Sequence, residues 1–282
     1  MYIEYDNHKK CLHKKILLSL EDGFLITINI YLFIEIDQMI IKVLIAFILC
    51  HQITAEDTGV HFWLYTKESI LQNDYEVMNF DGENVILDGD TNFDPSKPTK
   101  LVAHGNGGGL HIDYIFNQAY ANAGFDFNVI GIDWRSLQGS AKERTDYAGN
   151  QTGRFLHGMV SKYGLNISDV SAIGFSYGTH VIANTGKYAL ELGLNKIAVG
   201  IGLDTVGNFG FHKAKNYFKY VIAIHTTAGK LGVTERRGHI DFYPNGGSIQ
   251  PCTCSDQCPD VDCHQNWQQE SSHKRAPAYF EV

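Results

Sequence analysis

From about Val60 to Thr227, short apolar runs alternate with stretches whose apolar residues recur at helical spacing. HFWLYTK alternates apolar and polar residues and reads as a strand with one buried face. KPTKLVAHGNGGG is a buried strand running into a glycine loop, and FNVIGIDW, VSAIGF, KIAVGIGLD and FKYVIAIHT are further apolar strands. Between them lie three helical patterns. IDYIFNQAYANAG stops at Gly124, AGNQTGRFLHGMVSKYG is helical in its second half, and HVIANTGKYALELG is helical throughout. Apolar strands alternating with helices require a mostly parallel sheet covered on both faces, so the expected class is α/β. No internal repeat or long linker interrupts the pattern, which predicts one domain. After Thr227 the sequence turns loop-rich, with IDFY as a further short strand.

The chain has 282 residues, of which 44% are hydrophobic, enough for one sizeable core. Its formal net charge of -8 argues against nucleic acid as a partner, because neutralising phosphates takes clustered Lys and Arg. The stretch from Gly23 to Cys50 is strongly apolar but is split by Glu35 and Asp37, so it does not read as one continuous membrane span. From Met39, the segment MIIKVLIAFILCHQITAED has a lysine, an apolar core and a polar end, the shape of a secretory signal peptide. An N-terminal signal anchor is the competing reading. We therefore expect residues 1–55 to comprise an upstream extension and a signal peptide, and residues 56–282 to form the folded domain.

A secreted chain would oxidise its cysteines. Cys252, Cys254, Cys258 and Cys263 crowd into one loop and predict two disulfides; their spacing fits no common zinc site, even with His264 beside them. Asn150 and Asn166 head two glycosylation sequons.

GFSYGTH, Gly174 to His180, lies between the VSAIGF strand and the following helix. Strand, sharp turn and helix around G-x-S-x-G make a nucleophile elbow, in which the glycines allow close backbone packing. Ser176 is the candidate nucleophile. A serine needs a base, and the base an orienting carboxylate. Asp204 ends the next apolar strand and is the candidate acid. The histidines beyond it are His212, His225, His239, His264 and His273. His225 sits inside an apolar strand, as a structural histidine would. Spacing ranks His273 first and His239 next without deciding between them. The oxyanion hole needs two backbone N–H groups. Tyr177, after the nucleophile, supplies one candidate, and Asn106, in the HGNGGG loop, the other.

These segments together resemble the animal lipases of the pancreatic lipase type, including secreted phospholipases A1. LVAHG resembles the family's oxyanion strand and loop, NVIGIDWRSL its N-V-I-x-V-D-W strand, and GFSYGTH its G-H-S-L-G-A-H elbow. GLDTVGNFG resembles the acid loop, IHTTAGKLG with GHIDFYPNGGSIQP the segment that follows, and SSHKRAPAYF the histidine segment. The resemblance implies an α/β-hydrolase fold and the triad Ser176, Asp204 and His273. It also implies hydrolysis of lipid esters at a membrane or lipid interface, with no metal or organic cofactor. A non-catalytic, lipid-binding relative is the alternative.

The sequence departs from the family at Asn106, where an aromatic is usual, and at Phe175 and Tyr177 in the elbow. It departs again at Thr205 and Asn208 in the acid loop, at Thr227 where aspartate is frequent, and at Ser271 where a cysteine is usual. The family's catalytic domain continues past the histidine segment, so an incomplete C-terminal end is expected. The segment from Pro251 to Ser271 stands where the family carries its lid. It is short and polar, which favours phospholipid or small esters over an oil interface.

Overall fold

In the computed structural model the chain divides into two compact units, Met1–Thr54 and Ala55–Val282. The structure describes residues 2–4, 11–19, 25–33, 59–67, 69, 74–108, 124, 126–251 and 265–280, with side chains described from residue 59 and, in the last stretch, from 269. The first unit holds strands β1 (Tyr2–Glu4), β2 (Cys11–Ser19) and β3 (Leu25–Phe33), paired as an antiparallel sheet in the order β1-β2-β3. The segment from Met39 expected to be a signal peptide and the helix expected at IDYIFNQAYANAG lie outside the described residues.

The second unit is built on a sheet of strands β4 (His61–Tyr65), β5 (Glu76–Phe80), β6 (Val85–Ile86), β7 (Thr99–Ala103), β8 (Asn128–Asp133), β9 (Val170–Phe175), β10 (Ile197–Leu203), β11 (Phe218–Ile224) and β12 (Ile240–Phe242). Their order is β12-β11-β10-β9-β7-β8-β4-β5-β6. The run from β12 to β8 is parallel, and β4, β5 and β6 add antiparallel strands at one edge. This mostly parallel sheet with helical crossovers is the α/β-hydrolase architecture. β7 lies between β8 and β9, so the chain leaves β7 to one side and later returns on the other. Such a switch in strand order opens a crevice at the carboxyl ends of the strands. The loop after β7 and the turn after β9 both open there.

Helix α1 (Ala141–Tyr163) joins β8 to β9, and α2 (Gly178–Glu191) joins β9 to β10. α1 is helical from Ala141, well before the half that its apolar spacing marks. The reason is a capping box: Ser140 accepts the Glu143 N–H while the Glu143 carboxylate accepts the Ser140 N–H. Short α3 (Ala214–Tyr217) precedes β11; α4 (Gln265–His273) and α5 (Arg275–Phe280) follow β12.

Alternate residues of each strand feed two cores. Leu101 and Ala103 join Phe62, Phe155 and Leu156 on one face, where the Phe62 and Phe155 rings stack at 3.9 Å. Val102 joins Ile173, Leu203 and Ala276 on the other. Helix α5 thus covers the second face directly behind the histidine segment.

Candidate active site

The turn after β9 has the geometry of an elbow. Ser176 sits at φ 56°, in the left-handed region that non-glycine residues avoid, and the next residue but one, Gly178, begins α2. The strain is held by bonds on both sides. The Ser176 N–H donates to the Leu203 carbonyl at 2.9 Å, and the Ser176 carbonyl accepts the Thr179 hydroxyl at 2.7 Å. A Cβ on Gly174 would stand 2.4 Å from the Gly178 carbonyl oxygen, and one on Gly178 only 2.2 Å from that of Ala103. The glycines therefore serve close backbone packing, as expected from the sequence.

Asp204 follows β10 at φ 46° and is fully buried. Its Oδ1 accepts the N–H groups of Thr226 and Thr227 at 2.8 and 3.0 Å; its Oδ2 accepts the Thr227 hydroxyl and His273 Nδ1, the latter at 2.6 Å. Burial pushes the carboxyl pKa up, but the hydrogen bonds from His273 and Thr227 outweigh it and hold the group below its ordinary value. Asp204 is therefore an anion. Because a carboxylate only accepts, the hydrogen bond places a proton on His273 Nδ1, and in the neutral ring that leaves the lone pair on Nε2.

His273 ends α4, its ring tilted against Phe175 with centroids 4.6 Å apart. Buried Ser272 accepts the Gln250 N–H at 2.9 Å, and the Gln250 amide donates to Thr226 and Pro244 carbonyls. These bonds tie the histidine segment to the loop after β11 that also presents Thr226 to Asp204.

Ser176 and His273 line one cavity of about 900 Å³ together with Asn106, Phe175, Tyr177 and Leu231. The lining is largely apolar, as a pocket for an acyl chain or other lipid group requires. Tyr177 stands at the N-terminus of α2, where the first N–H groups of a helix have no intrahelical partner. Asn106 is exposed on the loop after β7, and its side-chain Oδ1 accepts Arg144 Nη2 at 2.7 Å.

The other histidines are held elsewhere. Buried His225 meets Asp241 at 2.9 Å and stacks on Tyr243, the structural role its apolar strand predicts. His239 accepts the Val221 N–H, and His212 is exposed in the 3-10 turn Phe211–Lys213 before α3. His264, Cys252, Cys254, Cys258 and Cys263 lie outside the described residues. Asn150 is half-buried inside α1, and the hydroxyl of its sequon partner Thr152 is fully buried on the Ala148 carbonyl; Asn166 is a helix cap in an exposed turn.

Two contributors escape sequence reasoning. One is Thr227, whose hydroxyl and N–H both serve Asp204. The other is His180. Its Nε2 donates to the Val206 carbonyl at 2.8 Å and its Nδ1 accepts the Phe211 N–H at 3.0 Å, so it clamps the acid loop to the elbow helix. Burial pushes its pKa down to about 4. The histidine of GFSYGTH was the available signal.

A protein-family model described as Lipase matches residues 42–281. The chain belongs to the lipase family, of the pancreatic lipase type. A putative endothelial lipase of Crotalus adamanteus is 30% identical over 188 residues, 60% of this chain and 37% of that one. Phospholipase A1 VesT1.02 of Vespa tropica is 31% identical over 55% of this chain and 54% of its own. The human protein named inactive pancreatic lipase-related protein 1 is 28% identical over 70% of this chain and 44% of its own. This lipase-family chain thus spans about half, or less, of the length of these relatives. The solved structure of esterase PE8 aligns over 46% of this chain and 68% of its own at 20% identity, with a TM-score of 0.36, too low to add to what the strand order shows. Among the described residues no helix is long and apolar enough to cross a membrane.

Proposed function

We propose that this lipase-family chain is a secreted serine ester hydrolase that cleaves lipid esters, phospholipid or acylglycerol, through Ser176, His273 and Asp204. The observation that carries the reading is the 2.6 Å contact of His273 Nδ1 with buried Asp204, with His273 lining the same cavity as Ser176. Ser176 Oγ attacks the ester carbonyl carbon as His273 Nε2 takes its proton. The negative charge that forms on the carbonyl oxygen is held by the N–H groups of Asn106 and Tyr177. Collapse breaks the bond to the alcohol, which leaves with the proton from His273. Water, deprotonated by the same Nε2, then attacks the acyl-enzyme; the fatty acid departs and Ser176 regains its proton. Asp204 keeps the imidazole in the required tautomer and stabilises its charged form.

Export through the signal-like segment from Met39 supports pairing Cys252, Cys254, Cys258 and Cys263 as two disulfides, since the cysteines would meet an oxidising compartment. The short polar segment from Pro251 to Ser271 favours phospholipid over emulsified triglyceride.

The test is hydrolysis of phospholipid vesicles, emulsified triglyceride and a short-chain ester by the full chain and by Ser176→Ala. Activity confined to the wild type supports the reading. Folded wild-type protein that binds lipid without cleaving it supports the second reading, a non-catalytic lipid-binding protein. An inactive relative keeps that reading in view.

A further inference from the structure

We infer that Arg144 is a positioning residue for the oxyanion loop, fixing the Asn106 backbone N–H through the Asn106 side chain; the inference rests on the ester-hydrolase reading above. The loop runs through glycines, and among the described residues its backbone-to-backbone bond is a turn from the Gly108 N–H to the Gly105 carbonyl at 3.2 Å. A glycine-rich turn samples many backbone states. An N–H placed by that turn alone would meet the developing oxyanion in only some of them, whereas catalysis rewards a donor fixed beforehand.

Arg144 supplies the missing restraint from outside the loop, with Nη2 on Asn106 Oδ1 at 2.7 Å. Arg144 is itself held. Its N–H bonds the Ser140 carbonyl at 2.9 Å inside the capped first turn of α1. Its guanidinium carbon lies 5.3 Å from the centroid of the Trp134 ring, within range of a cation–π contact. Trp134 is buried and donates its indole N–H to the His104 carbonyl at 3.1 Å, and His104 Nε2 lies 3.2 Å from both the Trp134 backbone nitrogen and Asp133 Oδ1. The His104 ring stacks on Trp134 at 5.2 Å and donates from Nδ1 to the Gly105 carbonyl at 2.7 Å. Residues 104, 105 and 106 are thus braced in succession, and Arg144 is the brace for the one that faces the cavity.

The test compares Arg144→Met, Asn106→Ala and the double variant. Methionine keeps an apolar stem over Trp134 and removes the donor; alanine removes the acceptor and keeps the backbone N–H. On an uncharged short-chain ester, each single variant should lose about ten-fold in kcat with KM little changed, less than the hundred-fold or more that follows outright loss of a donor. The double variant should lose no more than either single one. Equal losses that multiply in the double variant would overturn the inference. So would a raised KM with kcat intact, which would make Arg144 a substrate contact. Amide exchange reads the same coupling without turnover: deuterium uptake of the peptide spanning 104–108 should rise in both single variants to the same level. Unchanged uptake in folded variants would overturn the inference even if the chain proved to have no esterase activity. Raised uptake with no turnover would instead sink the hydrolase reading alone.

Discussion

Replacing His180 with glutamine should change how stability depends on pH. The imidazole is fully buried and uses both nitrogens in its neutral form, Nε2 as donor to Val206 and Nδ1 as acceptor from Phe211. A second proton would break the Phe211 bond and place a charge in the core, which is why burial pushes the pKa from 6.5 to about 4. In the unfolded chain the ring takes a proton near its ordinary value. Between the two values acid therefore favours the unfolded state. The contribution is whole above the unfolded pKa and declines by about 1.4 kcal/mol for each pH unit below it, reaching a loss of about 2.5 kcal/mol near pH 4.5. Glutamine offers a donor near the position of Nε2 and does not titrate. The assay is urea unfolding of both proteins from about pH 7.5 to about pH 4.5. The depressed carboxyl groups of Asp133, Asp204 and Asp241 are common to both proteins and cancel in the difference. The wild-type advantage should be constant above pH 7 and shrink on acidification. A difference that stays flat down to about pH 4.5 would refute a buried neutral His180.

Gly178→Ala should destabilise the fold by about 3 kcal/mol or more, because the new Cβ meets backbone oxygens of Ala103 and His104 at 2.2 and 2.5 Å and neither can move freely. Gly89→Ala, where nothing lies within 4 Å, is the control and should stay within about 0.5 kcal/mol in the same thermal melts. Thr227→Val removes a hydroxyl donor from Asp204 and an acceptor of the Gly232 N–H. It should cost about 1–3 kcal/mol in stability and lower kcat more than it changes KM, measured by urea unfolding and steady-state hydrolysis; unchanged kcat would mean that Thr227 does not orient the acid.

Much of this was legible in the sequence because it follows from local pattern. The parallel strands are continuous apolar runs, and the elbow announces itself as a glycine-flanked serine between a strand and a helix. Asp204 is marked by its place at the end of β10. What stayed hidden depends on contacts between distant segments. Nothing in HFWLYTK says that β4 runs antiparallel to β8, and the short edge strands β5 and β6 have too few residues to show a period. The start of α1 lies in a polar stretch without an apolar face, although Ser140 and Glu143 carry the capping signal. Spacing alone left His273 and His239 open; the structure puts the first on Asp204 and the second on the Val221 backbone. The services of Thr227 and His180 depend on where the loops after β10 and β11 meet, which no local pattern records.

The most direct test of the central claim is covalent labelling of the full-length wild-type chain by a fluorophosphonate, with the modified residue mapped by mass spectrometry. The phosphonyl group should be found on Ser176, and labelling should be lost in His273→Ala while the protein remains folded. A folded wild-type chain that takes no label, or takes it on another residue, would contradict a Ser176 nucleophile activated by His273 and Asp204.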